Sequence, residues 1–358
     1  MSLSLGIVGL PNVGKSTLFN ALTKNRVLAA NYPFATIEPN VGIVNVPDKR
    51  VQKLAEISNS AKIIPASATF VDIAGIVRGA SEGAGLGNKF LTHIRECSAI
   101  VQVVRAFADD DVIHVEGKVD ATDDIATIRA ELCLADLASV SKRIENLQKE
   151  LKTNSKLAVE ISALEQLRTV LDRGDLISEN FAELPESSRD LQLITAKKFI
   201  YVFNIDESEL GDEAKKAQLM QLVPHSDCIF LSAKTESELQ DMPSDEAQEL
   251  LSSLGQNESG LESLIHTGYR ILGLQSYFTS GPTETRAWTI HQGWTAPQAA
   301  GVIHTDFETG FIKAEVASYQ DFVAGNGWAG AKDAGKVRLE GKDYTMQDGD
   351  VVVFRFNN

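Results

Sequence analysis

Eight residues constrain this chain more than any others. Gly9-Leu10-Pro11-Asn12-Val13-Gly14-Lys15-Ser16 satisfies the pattern G-x-x-x-x-G-K-[ST] in full. The segment follows the apolar run Leu3 to Val8 and precedes Thr17-Leu18-Phe19-Asn20-Ala21-Leu22, which reads as a helix. Strand, glycine turn and helix in that order make a cradle for phosphate. The glycines let successive N–H groups converge on an anion, and the helix aims the positive end of its dipole at the same place. On this reading Asn12, Val13, Gly14, Lys15, Ser16 and Thr17 hold phosphates. Lys15 reaches the β- and γ-phosphates, and the Ser16 hydroxyl ligates Mg²⁺. The alternative is a bare glycine turn, against which the strand-loop-helix setting argues.

At 358 residues the chain exceeds one ordinary core, and about two to three domains are expected. No apolar run approaches the ~20 residues that cross a bilayer, and the N-terminus has no basic leader, so no membrane partner and a cytoplasmic location are expected. Cys97, Cys133 and Cys228 are odd in number and irregularly spaced, which argues against a disulfide framework or a zinc site. A net charge of -15 disfavours diffuse nucleic-acid binding and no specific DNA partner is expected, although a local basic patch stays open.

Leu5 to Val8, ending at a glycine, has the pattern of a parallel strand buried on both faces. Asn31 to Asn40 contains Pro33 and Pro39 and few helix formers, so an irregular loop is expected one helix after the phosphate cradle. Thr36 lies there, placed to complete the Mg²⁺ shell when a γ-phosphate is present, with a turn-capping threonine as the alternative. Val41 to Val46 and Ala68 to Val71 read as strands, the second running into Asp72-Ile73-Ala74-Gly75. Asp72 fits the role of holding Mg²⁺ through water, and the Gly75 N–H that of facing the γ-phosphate. Val77 to Gly87 is dense in glycine and reads either as a loop ordered in one ligand state or as a plain surface loop. Ile100 to Val104 is another buried strand. Asp109-Asp110-Asp111 after it reads as a solvated turn rather than a metal site.

From about Asp123 the pattern changes. Ile125, Ile128, Leu132, Ala135, Val140, Ile144, Leu147 and Leu151 recur at three and four, the spacing of a long amphipathic helix. Asn154-Ser155 interrupts it, and Ile161, Leu164, Leu167 and Leu171 resume. A helical hairpin is therefore expected, with its turn near Thr153 to Ser155 or a further break near Arg173-Gly174-Asp175. Lys142, Arg143, Lys149, Lys152 and Lys156 form the densest positive cluster, and a solvated face paired with Glu145 and Glu150 is favoured over an RNA contact. Lys198 to Phe203 and Cys228 to Leu231 return to the parallel-strand type, ending in Asn204-Ile205-Asp206-Glu207 and Ser232-Ala233-Lys234. Carboxyl ends of strands are where open α/β sheets bind ligands.

Past Gly281, Glu284 to Ile290, Phe311 to Val316 and Val351 to Phe356 read as strands, Pro297 to Ala300 as the start of a short helix, Gly325 to Gly330 as a loop and Asp348-Gly349-Asp350 as a turn. Trp288, Trp294 and Trp328 are expected to be core and edge aromatics. The expected architecture is α/β. Residues 1–124 and 197–280 form a doubly wound P-loop sheet, 125–196 an inserted coiled-coil-like helical hairpin, and 281–358 a small α+β domain.

Taken in order, Gly9 to Ser16, Thr36, Asp72-Ile73-Ala74-Gly75, Asn204-Ile205-Asp206-Glu207 and Ser232-Ala233-Lys234 resemble a translation-factor-class G protein of the Obg superfamily, specifically the YchF or Obg-like ATPase family. The resemblance covers essentially the whole chain, and the C-terminal piece is similar to the ubiquitin-like TGS domain. It implies a P-loop NTPase that prefers ATP to GTP, a ribosome as partner, and nucleotide contacts from Gly75, Asn204, Ile205, Glu207, Ser232, Ala233 and Lys234. It also implies a catalytic part, beside Lys15, for His114, which the residues alone would make an exposed loop histidine.

The fourth motif departs from the GTPase pattern Asn-Lys-x-Asp. That aspartate accepts two hydrogen bonds from guanine, and a site built on such bonds rejects a base lacking them by ~10⁴ or more. Here the longer Glu207 misplaces its oxygens and Ile205 replaces the lysine, while backbone groups around Ile205 and the Asn204 amide are expected to meet adenine. Asp206, one residue early, is the residue through which guanine could still be read. Ile76 stands where many GTPases place a water-orienting glutamine, so slow intrinsic turnover resting on Lys15 and Mg²⁺ is expected. The function expected is a Mg²⁺-dependent ATPase, hydrolysing ATP to ADP and phosphate, that acts as a ribosome-associated nucleotide switch. The alternatives are a nucleotide-gated ribosome- or RNA-binding module with incidental hydrolysis, and a GTPase of the Obg type. His93, His225, His266, His291 and His304 show no metal-ligand spacing and are expected to be structural.

Overall fold

Apolar, β-branched runs too short for helices become strands when both faces can be hidden, and such runs supply the sheet that carries the phosphate motif. The computed structural model describes residues 4–24, 40–73, 86–107, 119–151 and 154–357. In chain order its strands are β1 (Ser4–Val8), β2 (Asn40–Asn45), β3 (Ile63–Ile64), β4 (Ser67–Asp72), β5 (Ala99–Arg105), β6 (Lys198–Asn204), β7 (Asp227–Leu231), β8 (Leu274–Ser280), β9 (Thr285–His291), β10 (Phe311–Ser318), β11 (Arg338–Glu340) and β12 (Asp350–Phe356). The helices used below are α1 (Lys15–Lys24), α2 (Lys49–Ser58), α3 (Leu86–Glu96), α4 (Ala121–Leu151) and α5 (Leu157–Asp172).

One sheet has the order β2-β4-β1-β5-β6-β7. Within it β1 runs parallel to β4 on one side and β5 on the other, and β6 is parallel to β5 and β7. Every residue of β1 and β5 is buried. Gly6 is needed where β1 is most crowded, since a Cβ there would sit 2.9 Å from both Cys97 Sγ and Ile73 Cδ1. Because β1 has its successors on either side, the loop that follows it opens at the switch point of the sheet. This arrangement is the doubly wound P-loop sheet expected.

The helical hairpin also forms. α4 buries Ile125, Ile128, Leu132, Val140, Ile144 and Leu147, and α5 buries Leu164, Leu167 and Leu171. The two breaks posed as alternatives both occur: α5 starts after Asn154 to Lys156, and it ends at Arg173-Gly174, where Gly174 takes φ +76°. Thr153 and Lys152 lie outside the described residues. Lys142, Lys149 and Lys156 are exposed to solvent. A buried acid fixes the hairpin to its neighbours. Asp136, fully buried on α4, accepts from the Thr195 N–H (2.7 Å) and hydroxyl (2.8 Å) and faces Arg95 of α3 at 3.1 Å. Burial pushes its pKa up, and these partners oppose that shift.

By packing, the chain divides into Met1–Val44 with Thr69–Leu264, and Asn45–Ala68 with Ile265–Asn358. The sequence reading differs: it set the last domain at 281 and left residues 45–68 with the nucleotide-binding part. Two features account for the difference. β8 pairs antiparallel with β9 from Leu274↔His291 to Ser280↔Thr285, and Tyr277 and Phe278 are fully buried, although polar residues interrupt its apolar pattern. Residues 45–68 then join the same sheet, whose order is β11-β10-β12-β8-β9-β3, through Ile63↔Thr285 pairing. Arg50 of α2 bonds Asp348 at 2.7 Å and Asp48 at 2.9 Å, and lies 5.0 Å over the Phe278 ring. The Ala61 N–H donates to the Pro282 carbonyl and the Ser60 hydroxyl to that of Gly281.

This unit is a mixed sheet with its own core of Tyr277, Ile290, Ala299, Phe311, Val316 and Val352, against which Trp288 and Trp294 pack. Trp328 meets Phe322 edge-on. Gly325 to Gly330 is not simply a loop. Helix Trp328–Asp333 begins inside it, and the glycines are there for contact, because a Cβ on Gly330 would lie 2.0 Å from the Gly325 carbonyl oxygen. The Thr295-Gln298 capping box starts helix Ala296–Ile303, as Pro297 suggested. All three cysteines are free thiols, and among the described residues no helix is long and apolar enough to cross a membrane.

Candidate nucleotide site

Segments far apart in the chain converge on one cleft of about 480 Å³ in the first unit. Asn12, Gly14, Lys15, Ser16 and Thr17 line it from the turn after β1 and the start of α1. Asn204, Ile205 and Asp206 come from the end of β6, and Ser232, Ala233 and Lys234 from the end of β7. Phe107, two residues past β5, completes the described lining.

The loops are held in register by Asn204. Its Nδ2 donates to the Val13 carbonyl at 3.0 Å, and its Oδ1 accepts from the Ala233 N–H at 2.9 Å. The amide is 5% exposed, so these bonds are shielded from water. Gly14 makes the approach possible. It takes φ +98°, and a Cβ would stand 2.4 Å from Asn204 Nδ2. Asn12 also has positive φ, at 64°, which asparagine tolerates better than most residues. The Leu18 N–H already returns to the Gly14 carbonyl at 2.9 Å, so α1 begins within the motif.

Lys15 is buried, with Nζ 3.3 Å from the Leu10 carbonyl. Burial lowers its pKa, and the charge of Asp72 works against that. Asp72 shows the converse: burial raises its pKa, while Lys15 and a hydrogen bond from Asn40 pull it back. Ser16, exposed at the cleft, and Asp72 offer hard oxygen donors. A carboxylate that burial disfavours in its charged form suits a divalent cation, so these residues fit Mg²⁺. Among the described residues no group of three or more His, Cys, Asp or Glu gathers as a metal cage.

At the segments after β6 and β7 several polar groups are already engaged within the protein. The Asn204 amide, expected to meet the base, is committed at both ends to the two loops, and the Ile205 N–H donates to the Leu231 carbonyl at 2.9 Å. Val13 and Glu207, both expected to touch the nucleotide, do not line the cleft. Val13 is 1% exposed with its carbonyl bound by Asn204. Glu207 instead accepts a hydrogen bond from the Thr235 hydroxyl at 2.7 Å. Asp206, by contrast, lines the cleft, and it opens the turn Glu207–Glu209 with a reciprocal capping box to Glu209. Thr36, Gly75, Ile76 and His114 lie outside the described residues.

Phe107 escaped the sequence reading because it belongs to no motif; an aromatic directly after a buried strand was the only signal. Arg105, 1% exposed, lies 4.4 Å over its ring and donates from Nε to the Phe107 carbonyl at 3.4 Å. Glu236 likewise had no signal. It follows Ser232-Ala233-Lys234 on helix Ala233–Leu239, is 4% exposed, and accepts from the Gly260 N–H at 2.6 Å and the Leu261 N–H at 3.4 Å. Burial pushes its pKa up to about 7 against those bonds.

The chain is similar to known proteins along its length. Residues 4–132 match a family model described as 50S ribosome-binding GTPase, and residues 274–357 match YchF-GTPase_C, described as Protein of unknown function (DUF933). The second begins at the first residue of β8. The chain is 51% identical to the Ribosome-binding ATPase YchF of Bacillus subtilis over 100% of both chains. It is 43% identical to Obg-like ATPase 1 of Gallus gallus, over 99% of this chain and 93% of that one. Among solved structures, the Schizosaccharomyces pombe YchF GTPase aligns over 99% of this chain and 98% of its own, with a TM-score of 0.83 and 39% identity.

Asn204→Ala leaves the Val13 carbonyl and the Ala233 N–H buried without their partner. It is expected to lower unfolding free energy by about 1–3 kcal/mol and nucleotide affinity by at least tenfold, measured by denaturant titration and calorimetry. For Glu236, the folded state ionises near 7 and the unfolded state near 4.5. Stability from this group is complete below the lower value and lost as pH rises through the higher. Glu236→Gln is therefore expected to remove that fall in stability between pH 4.5 and 7 in unfolding curves taken across the range.

Proposed function

The chain belongs to the YchF family, and from that premise we propose that it is a Mg²⁺-dependent ATPase working as a ribosome-associated nucleotide switch in the cytoplasm. The names of its relatives divide between ATPase and GTPase, so the choice falls to the site. The observation that carries the ATP reading is the carboxylate of Glu207, which is bonded to Thr235 and stands out of the cleft. Guanine brings an N1–H and a 2-amino group that need acceptors, and burying them unpaired costs about 1–3 kcal/mol each. Adenine brings no such demand at those positions.

The phosphates are proposed to lie on the N–H groups of Gly14 to Thr17 at the head of α1, with Lys15 neutralising charge as the terminal phosphoryl group leaves. Ser16, Asp72 through water, and Thr36 would hold Mg²⁺, which would supply positive charge to offset that of the phosphates. Gly75 would meet the γ-phosphate through its N–H. Phe107 offers its ring to the purine, and Ile205, Ala233 and Lys234 close the base side. With Ile76 in place of a polar side chain, His114 would orient the attacking water. The names of the bacterial relatives support the ribosome as partner.

Side-by-side calorimetric titrations with ATP and GTP test the reading; tighter GTP binding would discard it. Lys15→Ala is expected to reduce hydrolysis by at least a hundredfold, following the loss of about 3 kcal/mol of charge stabilisation. His114→Ala should slow turnover while leaving ATP affinity intact, which separates a role in chemistry from one in binding.

A further inference from the structure

We propose that Thr235 is a specificity-determining residue: its hydroxyl restrains the Glu207 carboxylate from guanine and thereby sustains discrimination against GTP. This rests on the reading of the chain as an ATPase. Glu207 holds the position where a guanine-selecting site carries its aspartate, and an added methylene alone does not disarm a carboxylate. Glutamate has one more rotatable bond, and Glu207 is exposed on a short turn immediately after Ile205 and Asp206, which line the cleft. Left without a partner, such a side chain would sample the cleft, where guanine offers two donors.

Thr235 removes that freedom. It is 3% exposed, and its N–H is capped by Ser232 Oγ at 3.4 Å. A β-branched side chain in a helix has few rotamers, two for threonine, and the Thr235 hydroxyl takes one that meets Glu207. Its hydrogen bond to Glu207 Oε2 is 2.7 Å long, short as charge-assisted bonds are. The restraint therefore comes from the segment after β7, Ser232 to Thr235, acting on the segment after β6.

The test is a set of ATP and GTP affinities for wild type, Thr235→Val, Thr235→Ser, and Thr235→Val combined with Glu207→Gln, with folding checked by circular dichroism. Valine keeps the shape and removes the hydroxyl. Expected is a fall in the ATP-over-GTP preference of roughly tenfold, the worth of one hydrogen bond to a charged group, arising from tighter GTP binding. Serine should retain the wild-type ratio, and the added Glu207→Gln should cancel the gain, since the amide cannot accept twice from guanine as a carboxylate does. A folded Thr235→Val variant with unchanged preference overturns the inference alone, as does an equal loss of both affinities. Wild type binding GTP as tightly as ATP overturns both the inference and the reading beneath it. Should Thr235→Val not fold, Thr235→Ala carries the same comparison.

Discussion

The cleft exists because one amide side chain spans it. Asn204 ends β6, yet it bonds the carbonyl of Val13 after β1 and the N–H of Ala233 after β7. Parallel strands deliver these loops to one edge of the sheet but do not fix their spacing. A shielded amide with donor and acceptor both paired does, since breaking either bond strands a buried polar group. Gly14 is the other half of this device, because no residue with a Cβ could let the amide approach so closely. The glycine that a phosphate-loop pattern demands is thus set by a contact outside the loop as well as by its turn.

The same economy governs charge. Burial drives Lys15 and Asp72 each toward neutrality, and the charge of the other opposes that shift. A site with cation and anion so balanced is ready for a ligand that brings both signs, and a phosphate with a divalent cation does so. Arg105 is a second buried cation, placed over the Phe107 ring instead of in the cleft. Among the described residues, Lys15 is the buried cation that lines the cleft.

What could be read beforehand followed from how local the cause was. The phosphate loop, β1, β5 and the hairpin were legible because burial on both faces or at helical spacing writes itself into the order of residues. β8 was not: Gln275, Ser276 and Thr279 interrupt its pattern, and their polar groups are satisfied by partners as distant as Met346 and Trp288. The membership of residues 45–68 was illegible for the same reason, since it depends on Arg50 meeting Asp348 and on a two-residue strand. Gly325 to Gly330 misled because glycine signals a turn and a close backbone contact alike. In the site, the motif residues were foreseeable, but Asn204 was assigned to the base when its bonds go to the loops. A motif records which side chains are present and not which of their hydrogen bonds are already spent.

That distinction bears on how selective such a cleft can be. The Asn204 amide, the N–H groups of Ile205 and Ala233, and the Glu207 carboxylate are all engaged within the protein. What these segments leave facing the cleft is the Ile205 side chain, the Phe107 ring, Lys234 and Asp206, whose carboxylate caps the turn Glu207–Glu209. A pocket of this kind discriminates by leaving the wrong base's donors unsatisfied, not by meeting the right base's groups one by one. Rejection of that sort is bounded by the desolvation of the unpaired groups, a few kcal/mol, and stays below what a dedicated pair of acceptors achieves for guanine. On the proposed reading, preference for adenine depends on the nearby carboxylates remaining occupied, which makes the partners of Glu207 and Asp206 as decisive as the apolar lining of the cleft.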